Sequence, residues 1–98
     1  MWHLIYVAQK DAIEAIEYEL EEGRAFALGQ AGKRVEAAIA ALEAGHRERE
    51  LLLDEAADAV WAYLIVRESA GFVDHREVLA LYRVPAQVMA RVGVMRPR

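Results

Sequence analysis

Apolar residues recur with a helical period along the first half of the chain. Turning each residue by about 100° keeps them in one phase from Ile13 to Leu42. The stripe consists of Ile13, Ile16, Leu20, Ala27, Ala31, Val35, Ala38 and Leu42. A loop would interrupt this rotation, so the pattern predicts one helix over residues 11–44. Asp11 is the expected N-cap, and residues 2–8 before it are compatible with an extended segment or with an added helical turn.

Three glycines count against an unbroken helix. Gly23, Gly29 and Gly32 each cost roughly 1 kcal/mol relative to alanine inside a helix. A break near Gly29 into two shorter helices is therefore the alternative. Ala25, Gly29 and Gly32 also form a strip of small residues opposite or beside the apolar stripe, where another helix can approach closely. The helix would then have one face for its own chain and one for a partner.

A second helix is predicted after a turn at Gly45, a residue type that commonly ends helices in the left-handed conformation. Its apolar period covers residues 47–69, and Gly71 is the expected stop, with Phe72 making a contact back onto the helix. The stripe residues are Leu53, Ala56, Ala57, Val60 and Leu64. The short turn makes the first two helices an antiparallel hairpin.

Two short helices are predicted at the C-terminal end. Asp74 and Glu77 have the spacing of a capping box and open a helix over residues 75–82. Pro85 suits the first position of a last helix, and Gly93 lies just past its end.

The predicted hairpin leaves part of the long helix without cover. Facing residues should have numbers that sum to about 91, so the second helix runs out opposite residue 22. Ile13, Ile16 and Leu20 then need either the two C-terminal helices or a second chain above them. The sequence thus predicts an all-α protein, residues 1–98 forming a single helical domain. This domain is a long antiparallel helical hairpin plus two short C-terminal helices, assembling as a homodimer into a helical bundle.

Composition and charge narrow the classes of function. The chain has no cysteine, which excludes disulfides, thiolate catalysis and cysteine-ligated metals for this sequence. No stretch approaches the ~18 consecutive apolar residues of a membrane span, and the start lacks a basic leader, so we expect a cytoplasmic protein with no membrane contact. Residues 1–71 carry 14 acids and 7 bases, whereas residues 72–98 carry 2 acids and 5 bases.

The candidate chemical motifs favour no catalytic activity. The stretch ALGQAGKR resembles a phosphate-binding loop, but it lies in the helical pattern, and Arg34 replaces the hydroxyl that would bind Mg²⁺. Glu43 and His46 have the spacing of a di-metal bundle motif, of which such sites need two copies. Acidic runs at Glu14, Glu17, Glu21 and at Glu50, Asp54, Asp58 are expected to be solvated, and His46 and His75 to be exposed. We therefore expect no enzyme, no cofactor and no metal.

The sequence favours protein–protein association as the function, between two copies of the chain or with an unknown partner. The alternative function is DNA binding by residues 75–93. Two short helices joined by the YRVP turn have the rhythm of a helix-turn-helix, in which the second helix reads the major groove. Gln87 and Arg91 are the candidate base contacts. Against this interpretation, Val88 and Val92 share a face of the reading helix, which is typical of a helix that docks on its own chain.

The layout of the chain also resembles a known family. The segments LGQAGKRVEAAIAALEA and FVDHREVLALYRVPAQVMARVG, with a helix bearing Trp and Tyr between them, resemble a family of small uncharacterised helical bacterial proteins. The similarity covers nearly the whole chain, and LYRVPAQVMARVG is its most specific part. The resemblance implies an all-α fold, and it brings no catalytic or binding residues because the family has no assigned activity.

Overall fold

The fold consists of helices and turns throughout the part of the chain that a computed structural model describes. That part is residues 2–95, with side chains from Gln9 onwards. The helices in chain order are α1 (Trp2–Ala44), α2 (Arg49–Ser69), α3 (Arg76–Leu81) and α4 (Ala86–Met89). The predicted all-α class is confirmed, as is a long helix packed on a second helix with two short helices after it.

The long helix α1 is continuous for 43 residues and runs through all three of its glycines. The helical period of the apolar residues thus predicted the continuity of α1 correctly despite the low helix propensity of glycine. The alternative of a break near Gly29 is wrong. The predicted start was also wrong, because α1 begins at Trp2 and Asp11 is an interior residue rather than an N-cap. No glycine or proline occurs before Gly23, so nothing in the sequence stops the helix from extending to its first residues.

Glycines in the left-handed conformation end both long helices, as the sequence predicts. Gly45 has φ +67° and its N–H donates to the carbonyl of Ala41 over 3.1 Å. Gly71 has φ +97°, and it closes α2 in a Schellman motif in which the Phe72 N–H donates to the Arg67 carbonyl over 2.9 Å. The Phe72 ring lies 5.0 Å from the Arg67 guanidinium carbon, so a cation–π contact accompanies the cap.

Among the side chains described, those of the hydrophobic core all lie in the C-terminal two thirds of the chain. Its buried side chains are Val35, Ile39, Leu42, Leu52, Leu53, Ala56, Ala57, Ala59, Val60, Tyr63 and Val88. The N-terminal half of α1 extends beyond this core, and the molecule measures 67 × 28 × 24 Å. Its radius of gyration is 19.1 Å, whereas a compact domain of this length would have about 13 Å.

The two C-terminal helices lie at different places along the hairpin: α3 begins beside the end of α2, where His75 contacts Arg67, and α4 packs near the closed end. Asp74 accepts a hydrogen bond from the Arg76 N–H over 3.1 Å, but the N-cap position is His75, so the predicted capping box does not form. The turn between α3 and α4 contains Arg83 at φ +55°. Pro85 occupies the N-cap of α4, which is a single turn and ends earlier than predicted. Val88 is fully buried and holds α4 against α2.

Candidate functional site

An exposed apolar stripe on the N-terminal half of α1 is the candidate site. Ile13, Ile16 and Leu20 are 56%, 57% and 54% exposed, although they continue the phase of the buried residues further along the helix. We call these three residues the α1 stripe. Their exposure matters because large aliphatic side chains at helical spacing are normally covered.

The hairpin geometry explains why the α1 stripe is uncovered. The end of α2 reaches α1 only near Arg24 and Leu28, where Ala70 and Phe72 line a surface groove of about 390 Å³ with them. The C-terminal helices do not fold back over the stripe, because Val88 anchors α4 in the core at the other end. Of the two sources of cover that the sequence allows, the chain's own C-terminal helices are therefore excluded.

The strip of small residues divides between an open part and a packed part. Ala25 and Gly29 are exposed, and a Cβ added at Gly29 would meet nothing within 4 Å. Gly32 is buried, and a Cβ there would lie 2.6 Å from the Tyr82 hydroxyl oxygen. Gly32 therefore does not belong to a surface for a second chain, since its missing side chain makes room for a residue of the same chain.

Tyr82, which packs against Gly32, also forms an aromatic pair. Its ring meets that of Tyr63 edge to face, with centroids 5.6 Å apart and planes at 89°. Burial raises the pKa of the Tyr82 phenol above its ordinary value, and the neighbouring Tyr63 raises it further. The pair fixes the start of the α3–α4 turn on α1, which keeps the C-terminal helices away from the stripe.

Charged residues surround the α1 stripe without interrupting it. Between Gln9 and Ala27 the chain has six acids and two bases, Lys10 and Arg24. All eight are exposed, which confirms the solvated character predicted for Glu14, Glu17 and Glu21. At about 100° per residue the acids fall on the flanks and back of the helix, so an apolar strip with charged borders faces solvent.

The residues proposed for DNA contact are engaged within the chain. Arg91 donates to Glu50 over 2.5 Å and to Asp54 over 2.8 Å, and both hydrogen bonds raise the pKa of its guanidinium. The Gln87 side-chain oxygen accepts a hydrogen bond from Arg49 over 2.6 Å. These side chains tie α4 to α2, and α4 is only four residues long. The geometry gives no support to the DNA-binding alternative.

A polar cluster joins the end of α2 to α3. Arg67 Nε donates to His75 Nδ1 over 3.0 Å, and His75 Nε2 lies 3.1 Å from a carboxylate oxygen of Glu68. The His75 side chain is only 13% exposed, so the expectation of an exposed histidine was wrong. Because the Arg67 guanidinium can only donate, Nδ1 of His75 is the acceptor of this hydrogen bond.

The remaining chemical motifs do not assemble into a site in the described part of the chain. The stretch that resembles a phosphate loop is regular helix. Among the side chains described, from Gln9 to Met95, no three of the metal-binding types come together, at Glu43 and His46 or elsewhere. No helix of the same region has both the length and the apolar character that crossing a bilayer requires.

A family model decides the relationship of this chain to known proteins. It is described as a family of unknown function (DUF6665), and it matches residues 2–98. The chain belongs to this family. The resemblance seen in the sequence is thereby confirmed for the family and for its helical character. No curated protein and no solved structure matches the chain.

The contacts that fix the C-terminal helices were not predicted from the sequence. Tyr82 on Gly32 and Arg91 on Glu50 join residues 50 and 41 positions apart, and no local pattern marks such pairs. One signal was available for the second contact. Glu50 and Asp54 lie at i and i+4 on one face of α2, a spacing that presents two carboxylates to a single arginine.

Proposed function

We propose that this protein acts through association with a second copy of itself, and that the α1 stripe is the contact surface. The exposure of Ile13, Ile16 and Leu20 carries the proposal. Burying these side chains between two copies would remove apolar surface from water at roughly 25 cal/mol for each Å². An interaction role without catalysis is the function proposed.

The surface area of the single chain supports this proposal. The chain exposes 7580 Å², whereas a compact monomer of 11.0 kDa exposes about 5,600 Å². The excess is about 2,000 Å² for each chain, which is more than the roughly 800 Å² that each partner buries in an interface of standard size. The excess arises from the extended half of α1, because that is the part of the molecule without a core.

The lack of tertiary packing along the extended part of α1 also supports self-association. In proteins most of the stability of a helix comes from the tertiary packing of an apolar face rather than from helix propensity. None of the described residues before Gly32 is buried, and Leu28 and Ala31 are the first described residues of α1 that pack against the core. A second copy on the stripe would supply the packing that the chain itself does not.

Sedimentation of the wild-type protein over a concentration series tests the proposal. We expect a dimer of about twice 11.0 kDa at tens of micromolar, dissociating on dilution. The same measurement at two salt concentrations separates apolar from ionic association, because screening weakens exposed ion pairs but not apolar contacts. A monomer throughout the micromolar range would refute homodimerisation.

A further inference from the structure

The charges beside the α1 stripe select one arrangement of two copies. We propose that the second copy lies antiparallel on α1, in the register that places Lys10 of each chain opposite Glu17 of the other. This inference rests on the self-association proposed above and adds its orientation and register. It assigns a recognition role to two charged side chains that form no part of the core.

The stripe lies within a heptad seam. Spacings of four and three residues alternate along Gln9, Ile13, Ile16, Leu20, Gly23 and Ala27, which is the pattern of two helices packed knobs into holes. Lys10, Glu17 and Arg24 follow this seam on one flank at seven-residue intervals and alternate in sign. The charges on this flank can therefore distinguish one register from the next.

Antiparallel helices bring identical flanks together, so Lys10, Glu17 and Arg24 of one chain face the same set in the other. Sliding one chain by a heptad changes which of them are opposite. When facing seam residues have numbers that sum to 29, Ile13 lies opposite Ile16 of the second copy. Flanking residues that face each other then have numbers that sum to 27. Lys10 of each chain therefore lies opposite Glu17 of the other, once on each side of the two-fold axis.

The neighbouring registers place like charges together. A shift of seven in one direction sets Lys10 against Lys10, and a shift in the other direction sets Glu17 against Glu17. Like charges directly opposite oppose association. The register that pairs Ile13 with Ile16 is therefore favoured by the apolar seam and by the charges together.

The extent of the apolar seam fits the same register. Beyond Ala27 the seam becomes polar, at Gln30 and Arg34. An antiparallel pair centred between Ile13 and Ile16 keeps these two polar positions far from the two-fold axis. A parallel pair would continue through these residues and set Arg34 against Arg34. A shallow depression of about 340 Å³ lies beside Ile13 on the flank that carries Lys10 and Glu17, and Gln9 and Glu14 also line it.

A cycle of charge reversals tests the register. We expect Lys10→Glu and Glu17→Lys each to weaken the dimer about three- to tenfold, and the double variant to return to near wild-type affinity. Lys10 and Glu17 are seven residues apart in one helix, about 10 Å along its axis, so coupling within a single chain is small. Circular dichroism checks that each variant retains its helix content.

The matched control is the pair Glu19 and Arg24. These residues are five positions apart and do not meet within one helix, but they would face each other in a parallel dimer. We expect no coupling between Glu19→Lys and Arg24→Glu. Coupling in this pair, together with additivity for Lys10 and Glu17, would overturn the antiparallel arrangement.

A distance measurement gives an independent result. A nitroxide attached at Ala25→Cys is unique because the chain has no cysteine of its own. The antiparallel register separates the two labels by 21 residues, or about 32 Å along the axis. A label–label distance below about 20 Å would contradict it. A monomeric protein would instead refute self-association itself, whereas a dimer with a short distance refutes only the orientation.

Discussion

Replacing Ile16 by Glu is expected to convert the dimer into a monomer across the micromolar range. Ile16 is 57% exposed in the single chain and lies at the centre of the α1 stripe. Its loss removes about 1.5–3 kcal/mol of apolar burial, and the new carboxylate loses water in the interface. Two-fold symmetry makes each substitution count twice. We therefore expect the dissociation constant to rise at least a hundredfold, about 2.7 kcal/mol, by sedimentation equilibrium.

Tyr18→Glu is the matched control for this substitution. Tyr18 is 63% exposed on the same part of α1, and two residues of helix place it about 200° from Ile16. Both variants replace an apolar residue by the same acid at neighbouring positions, so they alter net charge equally. We expect Tyr18→Glu to leave the dissociation constant within about threefold of wild type. If Tyr18→Glu dissociates the dimer and Ile16→Glu does not, the contact surface lies on the opposite face.

The two glycines Gly29 and Gly32 are expected to respond to alanine with opposite signs. Gly29→Ala adds a methyl group in open space and gains roughly 1 kcal/mol of helix propensity, so the protein should be more stable. Gly32→Ala places a methyl group 2.6 Å from the Tyr82 hydroxyl oxygen, which forces the ring to move. Overpacking of this kind costs typically 1–3 kcal/mol, and we expect a net loss of about 1 kcal/mol. Thermal unfolding at one protein concentration checks the order.

Tyr82→Phe tests whether the Tyr82 hydroxyl is what makes Gly32→Ala destabilising. Removing the hydroxyl leaves the Tyr82 ring carbon 3.6 Å from the added methyl group, an ordinary contact. We therefore expect Gly32→Ala to be less destabilising in the Tyr82→Phe background than alone. Equal effects of Gly32→Ala in both backgrounds would show that the hydroxyl is not what requires glycine at this position.

The same pair of alanine variants also bears on the strip of small residues. A second helix that approached α1 closely at Ala25 and Gly29 would be pushed away by a methyl group at Gly29. The antiparallel arrangement proposed above would leave Gly29 on the outer side of α1. The Gly29→Ala variant should therefore be more stable and equally dimeric.

Local chemistry made the long helices predictable. The end of α1 and the end of α2 each need a residue at positive φ, and a glycine stands at each of these positions. The continuity of α1 followed from the rotational phase of its apolar residues, which survives three glycines. The uncovered stripe was predictable because the lengths of α1 and α2 differ and the turn between them is short.

Contacts between distant parts of the chain were not predictable in the same way. The sequence allows the C-terminal helices to pack on their own hairpin or on a second chain. The contact of Tyr82 with Gly32 and that of Arg91 with α2 place them on their own hairpin. The burial of His75 likewise depends on its contacts with Arg67 and Glu68 at the end of α2. The predicted start of α1 at Asp11 was wrong because the helix continues through this residue, and a capping pattern does not end a helix that extends on both sides of it.

The protection of backbone amides along α1 tests the central claim most directly. We expect hydrogen exchange of the amides from Ile13 to Leu20 to be slow at high protein concentration, close to that of Val35 to Leu42 in the core. On dilution below the dissociation constant, the first group should exchange fast while the second stays protected. Fast exchange from Ile13 to Leu20 in a sample that sediments as a dimer would contradict the account, because the dimer would then form through another surface.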